Sequence, residues 1–545
     1  MGILRKSWMV WIAAAGFTAL WFALLAGRAL YDPDEGRYAE IPREMLSGGD
    51  WVIPHLNALV YLEKPPLQYW LTALAFRGLG QSEFTARLCT GLAGYLSLVT
   101  VFFLGRRLWG ADAGVRALSF TSASTLFVLL GHQLTLDMLL CFFLTAALGC
   151  FLMAQARRDG SEAWRAWMLG CWAAMALAVL TKGLIGALIP AATLGLYMAW
   201  QRDWQLLRRL NLRWGLPLFG AIAVPWFALA ARANPQFLTF FFIREHFQRF
   251  LTPIEHRTQP WWFFVPVLAV GIMPWLPQAA RALVSTFREP VPRGQFDAAR
   301  LLCIWCVFVM IFFSCSDSKL IPYILPAVPA LALLCAGRKA GNCSGALLMG
   351  ALLSLASSLG VLAYASGLWT SGDARALLQL IRPALFGICA LLAAGALLCA
   401  ACARQGRPRA ALAALCAAWF LASGTILVAG EAAQGLYSAK DVALELQRQA
   451  AAADPIFTVQ SYQQSLPFYL RRPVILVDYR DEFDLGLTQD PQRGIATLRQ
   501  FARVWQPLSG GFAVMPPGTR DRLAALGVPM RETARFPERV IVSRR

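Results

Sequence analysis

The fold is decided by residues 137–155, DMLLCFFLTAALGCFLMAQ, in which one carboxylate is followed by eighteen uncharged residues. A helix of about 19 residues is about 28 Å long at about 1.5 Å per residue. The hydrocarbon core of a bilayer is about 30 Å thick. This stretch is therefore predicted to cross a membrane as one helix.

The overall composition agrees with a membrane protein. Of the 545 residues, 58% are apolar and 15% are charged, and the mean hydropathy is +0.52. Disordered chains combine low hydrophobicity with high charge, and soluble domains are about 25% charged. The composition excludes disorder and disfavours an ordinary soluble enzyme.

Comparable apolar stretches recur down to residue 430. We predict a polytopic α-helical membrane protein with about 13 transmembrane helices, at 8–27, 86–104, 117–133, 137–155, 165–180, 183–200, 214–231, 261–278, 301–314, 320–336, 343–365, 384–403 and 410–429. The first of these is long for a signal peptide and lacks a clear cleavage site, so it is interpreted as a retained span. The short aromatic stretch 67–78 is predicted to be an interfacial helix.

Positive charge is concentrated in alternate connections. Arginines and one lysine cluster near 106–116, 157–165, 202–213, 281–300, 338–339 and 404–409. Because basic connections remain in the cytoplasm, the N-terminus is predicted to be cytoplasmic and the C-terminal tail to lie outside. The net charge of +19 is then mainly a topology signal, and no nucleic-acid partner is expected.

The 13 Cys include two CxxC pairs, Cys303 with Cys306 and Cys399 with Cys402. Both pairs lie inside apolar stretches and lack the polar surroundings and His partners of a zinc site. The cysteines are therefore interpreted as small apolar residues of the membrane helices, without a disulfide framework.

The predicted topology defines two domains. Residues 1–430 form a transmembrane domain with outside loops at 30–85 and 232–260, and residues 431–545 form a small soluble α/β domain. In this Cys-free tail, PIFTV and PVILVDY are typical of buried strands, and SAKDVALELQRQAAA and RGIATLRQFARVW of amphipathic helices. The tail shows no catalytic motif, which favours a docking or structural role.

The first outside loop concentrates acids and bases in YDPDEGRYAEIPREML, residues 31–46. Glu40, Arg43 and Glu44 fit a solvated surface helix. The Asp34-Glu35 pair does not, because it follows directly on a span, where charge is costly and usually functional. Asp34 is therefore the first candidate for chemistry.

Further charged residues adjoin predicted outside ends of spans. In YLEKPPLQYW, residues 61–70, Glu63 and Lys64 precede two prolines that fix the turn. Asp137 opens a span and is either a first-turn acid or a functional carboxylate that needs a partner. His132 is interpreted as a structural hydrogen-bonding residue.

Two more outside segments carry basic and aromatic residues. The segment REHFQRF, residues 244–250, suits a lipid phosphate because arginine binds phosphate oxygens as a fork. SDSKLIPYILPAVPALALL, residues 316–334, contains Lys319 and Tyr323, and LTKGLIG contains Lys182. Each lysine either binds an anion or extends to the interface.

Acids and bases on one membrane face are what glycosyl transfer from a lipid phosphate requires. Basic groups would neutralise the leaving phosphate, and a carboxylate would act as a base or orient a sugar. The sequence has no GxxxxGK[ST], GxSxG or HExxH motif, so a nucleotide-driven pump and a serine hydrolase have no support. A secondary transporter would require inverted repeats and charges at the membrane midplane, which the sequence lacks.

These motifs resemble a known family. An Asp-Glu pair after the first span resembles the GT-C glycosyltransferases, which use polyprenyl-phosphate sugars. Together, DPDEGRYAEIPREML, YLEKPPLQYW, LTKGLIG, REHFQRF, SDSKLIPYILPAVPALALL and DEFDLGL resemble the bacterial 4-amino-4-deoxy-L-arabinose lipid A transferases, relatives of the protein O-mannosyltransferases. The resemblance extends nearly end to end.

The resemblance implies a reaction and its location. Undecaprenyl-phosphate aminoarabinose would be the donor and a lipid A phosphate the acceptor, on the periplasmic side of the bacterial inner membrane. The cationic sugar would lower the anionic charge of lipid A and give resistance to polymyxin and other cationic peptides. The alternatives are another sugar or a protein Ser/Thr acceptor, and inversion is favoured over retention. A monomer embedded in membrane lipid is expected.

The resemblance also implies residue roles. Asp34 would be the main catalytic carboxylate, as a base or an orienting group, and Asp137 a second carboxylate near the sugar. The donor-phosphate cavity would be formed by Arg37, Lys64, Arg249, Tyr323 and Lys319. No cofactor is required with certainty, but Glu63 and His246 could hold a divalent metal such as zinc.

Overall fold

The computed structural model describes residues 2–156, 162–248, 258–292, 295–337, 343–367 and 373–544. The chain divides into two compact units: a helical unit of Met1–Leu25 and Cys89–Ala429, and an outer-loop unit of Ala26–Leu88 and Gly430–Arg545. This division differs from the predicted domains, because the first outside loop has its packing partners in the C-terminal tail rather than within residues 1–430.

The helical unit consists almost entirely of helices. Their bounds are Gly2–Ala23, Glu83–Trp109 (which begins in the outer-loop unit), Ala111–Ser122, Thr125–Gly131, Leu136–Ala156, Ala163–Lys182, Ile185–Gln201, Trp204–Arg209, Leu212–Ala233, Thr239–Gln248, Phe264–Gly271, Leu276–Arg288, Ala298–Ser314, Ile321–Ile324, Ala327–Gly337, Cys343–Ala365, Asp373–Arg404 and Pro408–Ala429.

Several of these helices satisfy the length and composition of a membrane span. Within the described residues there are seven, or up to nine if each of two bent helix pairs counts as one span. Four shorter apolar helices lie at Trp11–Ala23, Ile185–Gln201, Ala298–Ser314 and Ile321–Gly337. Every predicted stretch coincides with one of these helices or pairs, and the chain is a multi-pass membrane protein.

Two of the predicted spans are not single straight helices. Residues 117–133 fall in two helices that meet at 69°, and residues 261–278 fall in two helices that meet at 117°. The second break contains Pro274, which has no amide hydrogen with which to continue a helix.

His132 has the structural role predicted for it. The residue is fully buried. Its Nδ1 lies 2.7 Å from the carbonyl oxygen of Val128, and its Nε2 lies 2.9 Å from that of Trp21. The ring therefore ties the first helix to the Thr125–Gly131 helix.

The outer-loop unit is built on a mixed sheet. Its strands are β3 (Ile456–Val459), β4 (Ile475–Val477), β5 (Gly494–Ile495), β6 (Phe512–Met515), β7 (Arg531–Phe536) and β8 (Arg539–Ser543), in the order β5-β4-β3-β6-β8-β7. The first four in this order are parallel, and β8 pairs antiparallel with β6 and β7. PIFTV and PVILVDY thus contain strands, as predicted.

The tail also contains short helices. They span Gly430–Ala433, Gln434–Tyr437, Lys440–Gln449, Ser465–Leu470, Asp481–Phe483, Asp484–Gln489, Pro491–Arg493, Leu498–Trp505 and Pro517–Ala525. Phe501 and Trp505 are fully buried against Phe457 of the sheet. The amphipathic pattern of RGIATLRQFARVW therefore predicted its buried face.

The first outside loop belongs to the same unit. It contains the helices Asp34–Gly48 and Leu67–Leu79 and a short hairpin of β1 (His55–Leu56) and β2 (Leu59–Val60). The Asn57 amide donates to the Val474 carbonyl at 2.8 Å and accepts from the Val474 amide at 2.7 Å. A side chain thereby completes the backbone pairing of a tail segment.

Candidate active site

The acidic pair of the first loop divides into a buried and an accessible carboxylate. Glu35 is fully buried. It accepts hydrogen bonds from Arg28 Nη2 at 3.0 Å, from Arg87 Nε at 2.7 Å and from the Tyr31 amide at 3.0 Å. Asp34 retains 38% side-chain exposure, so Glu35 is structural and Asp34 remains available for chemistry.

Arg37 lies between two acids. Its Nε is 2.5 Å from Glu482 Oε2, and its Nη1 is 3.5 Å from Asp34 Oδ1. Burial acts to lower the pKa of Arg37, but Glu482, Tyr61, Tyr38 and Asp34 together outweigh burial, and the pKa rises well above its usual value. A permanently charged guanidinium is thus held by a buried acid beside an exposed one.

The rigid turn before Pro65 adds a second basic group. The Tyr61 hydroxyl donates to Glu63 Oε2 at 3.0 Å, while Lys64 Nζ donates to the Glu63 carbonyl at 3.0 Å and lies 3.9 Å from the same carboxylate. Burial, followed by the negative charge of Glu63, raises the pKa of Tyr61 well above its usual value. Tyr61 therefore stays protonated and orients Glu63.

The expectation that Glu40, Arg43 and Glu44 form a solvated surface is wrong. Glu40 is fully buried and Arg43 is almost so. Arg43 Nε and Nη2 donate to the two Glu40 oxygens at 2.6 and 2.5 Å. These charges lie on a buried helix face, where the two hydrogen bonds from the Arg43 guanidinium neutralise the Glu40 carboxylate.

A separate cluster lies in the helical unit. Asp137 begins the helix Leu136–Ala156, and its Oδ1 is 2.5 Å from Lys182 Nζ. The same Nζ lies 4.7 Å from the ring centroid of Tyr323. The predicted need of Asp137 for a partner is thus met by Lys182, and two predicted site residues, Asp137 and Tyr323, meet through this lysine.

Other predicted residues are less engaged with these clusters. Lys319 is buried, and its Nζ donates to the Ser316 carbonyl. His246 falls within the helix Thr239–Gln248, but its side chain lies outside the described part of the structure, as does Arg249 altogether. Their roles stay predictions.

The metal site implied by Glu63 and His246 stays a prediction, because the described part of the structure does not include the His246 side chain. In that part of the chain, no three His, Cys, Asp or Glu side chains are grouped so that they could hold a metal ion. The Glu63 carboxylate is instead contacted by Tyr61 and Lys64.

The sequence did not reveal the carboxylate partners of Arg37 and Lys182 in these clusters. Glu482 lies in DEFDLGL, a motif that carries the resemblance but gives no indication that its Glu faces Arg37. Lys182 was interpreted only as an anion site or an interfacial lysine. A carboxylate at the start of a membrane helix requires a cation nearby. This requirement could have linked Lys182 to Asp137.

Two family models match the chain. Residues 6–241 match the family described as dolichyl-phosphate-mannose-protein mannosyltransferase. Residues 442–544 match the aminoarabinose transferase C-terminal domain. The two matches fall in the N-terminal helical region and in the tail.

Curated relatives agree with these matches. An undecaprenyl phosphate-alpha-4-amino-4-deoxy-L-arabinose arabinosyl transferase of Erwinia tasmaniensis is 34% identical over 62% of this chain and 62% of its own length. A protein of the same name from Edwardsiella ictaluri is 34% identical over 65% of this chain and 64% of its own. The alignments thus span less than two thirds of these relatives.

A solved structure extends the likeness over the whole chain. ArnT from Cupriavidus metallidurans bound to undecaprenyl phosphate has a TM-score of 0.91 and 33% identity, covering 99% of this chain and 98% of that one. The motifs, the GT-C helical architecture and the mixed-sheet tail agree with this likeness, and the chain belongs to the aminoarabinose transferase family.

Proposed function

We propose that the protein transfers 4-amino-4-deoxy-L-arabinose from undecaprenyl phosphate to a phosphate of lipid A, as a monomer, at the periplasmic face of the bacterial inner membrane. The observation that carries the proposal is the end-to-end likeness to an ArnT that binds undecaprenyl phosphate. The product would carry a cationic sugar, which lowers its affinity for polymyxin and other cationic peptides.

The chemistry of the first-loop cluster suits this reaction. The bond from the anomeric carbon to the donor phosphate breaks, and its electron pair goes to that phosphate. Arg37 and Lys64, with Arg249, neutralise the charge that the leaving phosphate gains. Arg37 is preorganised for this role because Glu482 holds its Nε while its Nη1 lies toward Asp34.

The acceptor needs little activation. A phosphate oxygen of lipid A is already anionic at neutral pH, so it can form the new bond to the anomeric carbon without losing a proton. Asp34, the exposed carboxylate beside Arg37, would therefore stabilise the positive charge that develops on the sugar ring, or orient its ammonium group. Asp137 is paired with Lys182 and would line the sugar site.

Reconstitution tests the reaction and its acceptor. The protein in vesicles would receive undecaprenyl-phosphate aminoarabinose with lipid A or with a Ser/Thr-rich peptide. We expect sugar on lipid A only, with a loss of at least about a hundredfold in rate for Asp34→Asn. Transfer to the peptide alone would assign a protein acceptor and overturn the proposal.

A further inference from the structure

The helical unit contains a cavity that is lined by none of the residues assigned to the transfer reaction. It has a volume of about 190 Å³ and lies among four helices, with lining residues that include Phe151, Met175, Thr193 and Trp305. An apolar cavity of about 150 Å³ is large enough to hold a benzene molecule. This one can therefore take several methylenes of an alkyl chain.

The lining side chains are apolar apart from the Thr193 hydroxyl, the Cys171 thiol and two indole N–H groups. Two indole N–H groups in the wall already have acceptors: Trp172 donates to the Leu210 carbonyl at 2.8 Å and Trp305 to the Pro326 carbonyl at 3.0 Å. The Thr193 hydroxyl, whose residue is 1% exposed, has no hydrogen-bond partner among the described residues. A buried hydroxyl without an acceptor is costly, so a ligand that brings a carbonyl oxygen suits this wall.

One end of the cavity adjoins a basic connection. Leu210, which lines the cavity, belongs to the connection 202–213, RDWQLLRRLNLR, with four arginines and one acid. Trp204 and the adjacent Trp214 are 59% and 60% exposed, as is typical of a membrane–water interface. The side-chain nitrogen of Asn211, Nδ2, is buried and has no hydrogen-bond partner in the described structure.

We propose that this cavity binds an anionic, ester-linked glycerophospholipid of the cytoplasmic leaflet. One acyl chain enters the cavity, an ester carbonyl accepts from Thr193, and the phosphate lies against the arginines of the connection. The combination matches all three parts of such a lipid: an apolar cavity, an unsatisfied donor and a basic rim. The inference is independent of the sugar and acceptor of the transferase.

Native mass spectrometry of the full-length protein in detergent tests the inference. The probes are phosphatidylglycerol and phosphatidylcholine with identical acyl chains, and an ether-linked phosphatidylglycerol without ester carbonyls. We expect one retained phosphatidylglycerol, favoured about tenfold over phosphatidylcholine, since basic residues near the membrane surface attract a net anionic headgroup. Equal retention of phosphatidylglycerol and phosphatidylcholine would overturn the proposal that the bound lipid is anionic.

Variants locate the lipid. Ala191 lines the cavity and is exposed, so Ala191→Phe should obstruct it and reduce the adduct about tenfold. Leu196 is 48% exposed on the same helix and does not line the cavity, so Leu196→Phe is the matched control and should retain the lipid. An undiminished adduct in Ala191→Phe would overturn the assignment.

Two further variants separate the headgroup contact from the ester contact. Thr193→Val should weaken the ester lipid about fivefold, the value of one hydrogen bond, without changing the ether analogue. Arg208→Gln with Arg209→Gln should remove the preference for phosphatidylglycerol and leave chain binding. If both lipids respond equally to Thr193→Val, the proposed ester contact is wrong.

Discussion

Arg37 Nε lies 2.5 Å from Glu482 Oε2, which joins the first outside loop to the tail through one buried ion pair. The pair gives the tail a direct part in the first-loop cluster, since Arg37 also reaches toward Asp34. This contact fits the structural role expected for the tail.

Loss of the Glu482 carboxylate should misplace Arg37. We expect Glu482→Gln to raise the KM for the undecaprenyl-phosphate donor about tenfold to a hundredfold, because it removes the buried carboxylate that compensates the charge of Arg37. Glu482→Asp should recover part of the loss. Steady-state transfer kinetics in vesicles measure both.

The control for this effect is the nearby exposed acid Asp484, which pairs with Arg480 on the surface. Asp484→Asn should leave the KM unchanged. Equal effects of Glu482→Gln and Asp484→Asn would show that the Arg37–Glu482 pair has no special role.

Asp137 and Lys182 should behave as one unit. Removing either partner of this 2.5 Å pair leaves a largely buried charge uncompensated. We expect Lys182→Met and Asp137→Asn each to lower the transfer rate about a hundredfold, and the double variant to be no worse than the poorer single one. Asp112→Asn, at the exposed Asp112–Arg409 pair, is the control, and additive losses would contradict the coupling.

The first loop and the tail lie so close together at Gly36 that this position should not accommodate a side chain. A Cβ there would clash with the Ser465 backbone nitrogen, whereas a Cβ at Gly48, in the same helix, would meet nothing within 4 Å. Gly36→Ala should destabilise the outer-loop unit by about 1–3 kcal/mol. Thermal unfolding and limited proteolysis measure this loss, and Gly48→Ala should be neutral or slightly stabilising. Equal melting temperatures would refute the close contact.

Asp32 should make stability depend on pH. Burial raises its pKa to about 6 against a usual 3.8, although the Ser465 amide donates to its Oδ1 at 2.6 Å. Because the folded form binds the proton more tightly, protonation of Asp32 stabilises the folded state. This stabilisation is complete below about pH 4 and is lost as pH rises past about 6. It amounts to about 2–3 kcal/mol.

Melting temperatures of wild type and Asp32→Asn from pH 4.5 to 7.5 measure this effect. As pH rises, the melting temperature of Asp32→Asn should increase relative to that of the wild type. The melting temperature of Asp490→Asn, at an exposed acid of the same unit, should change with pH as the wild type does. Parallel curves for Asp32→Asn would refute the raised pKa.

The sequence predicts much of the helical unit because each membrane helix carries its own signal, a long uncharged stretch. The breaks within 117–133 and 261–278 were missed, since an apolar stretch looks the same whether it is straight or bent. The contacts of Arg37 with Glu482 and of Asn57 with Val474 join distant segments and have no local pattern. Glu40 with Arg43 resembles a surface pair in sequence and is buried only because other elements cover it.

The most direct test of the central claim is a lipid A mass spectrum from a polymyxin-sensitive strain that lacks its own transferase but makes the aminoarabinose donor. Wild type should add one aminopentose to lipid A, and Asp34→Ala and an empty vector should add none. No added aminopentose despite confirmed expression of the wild type would contradict the account.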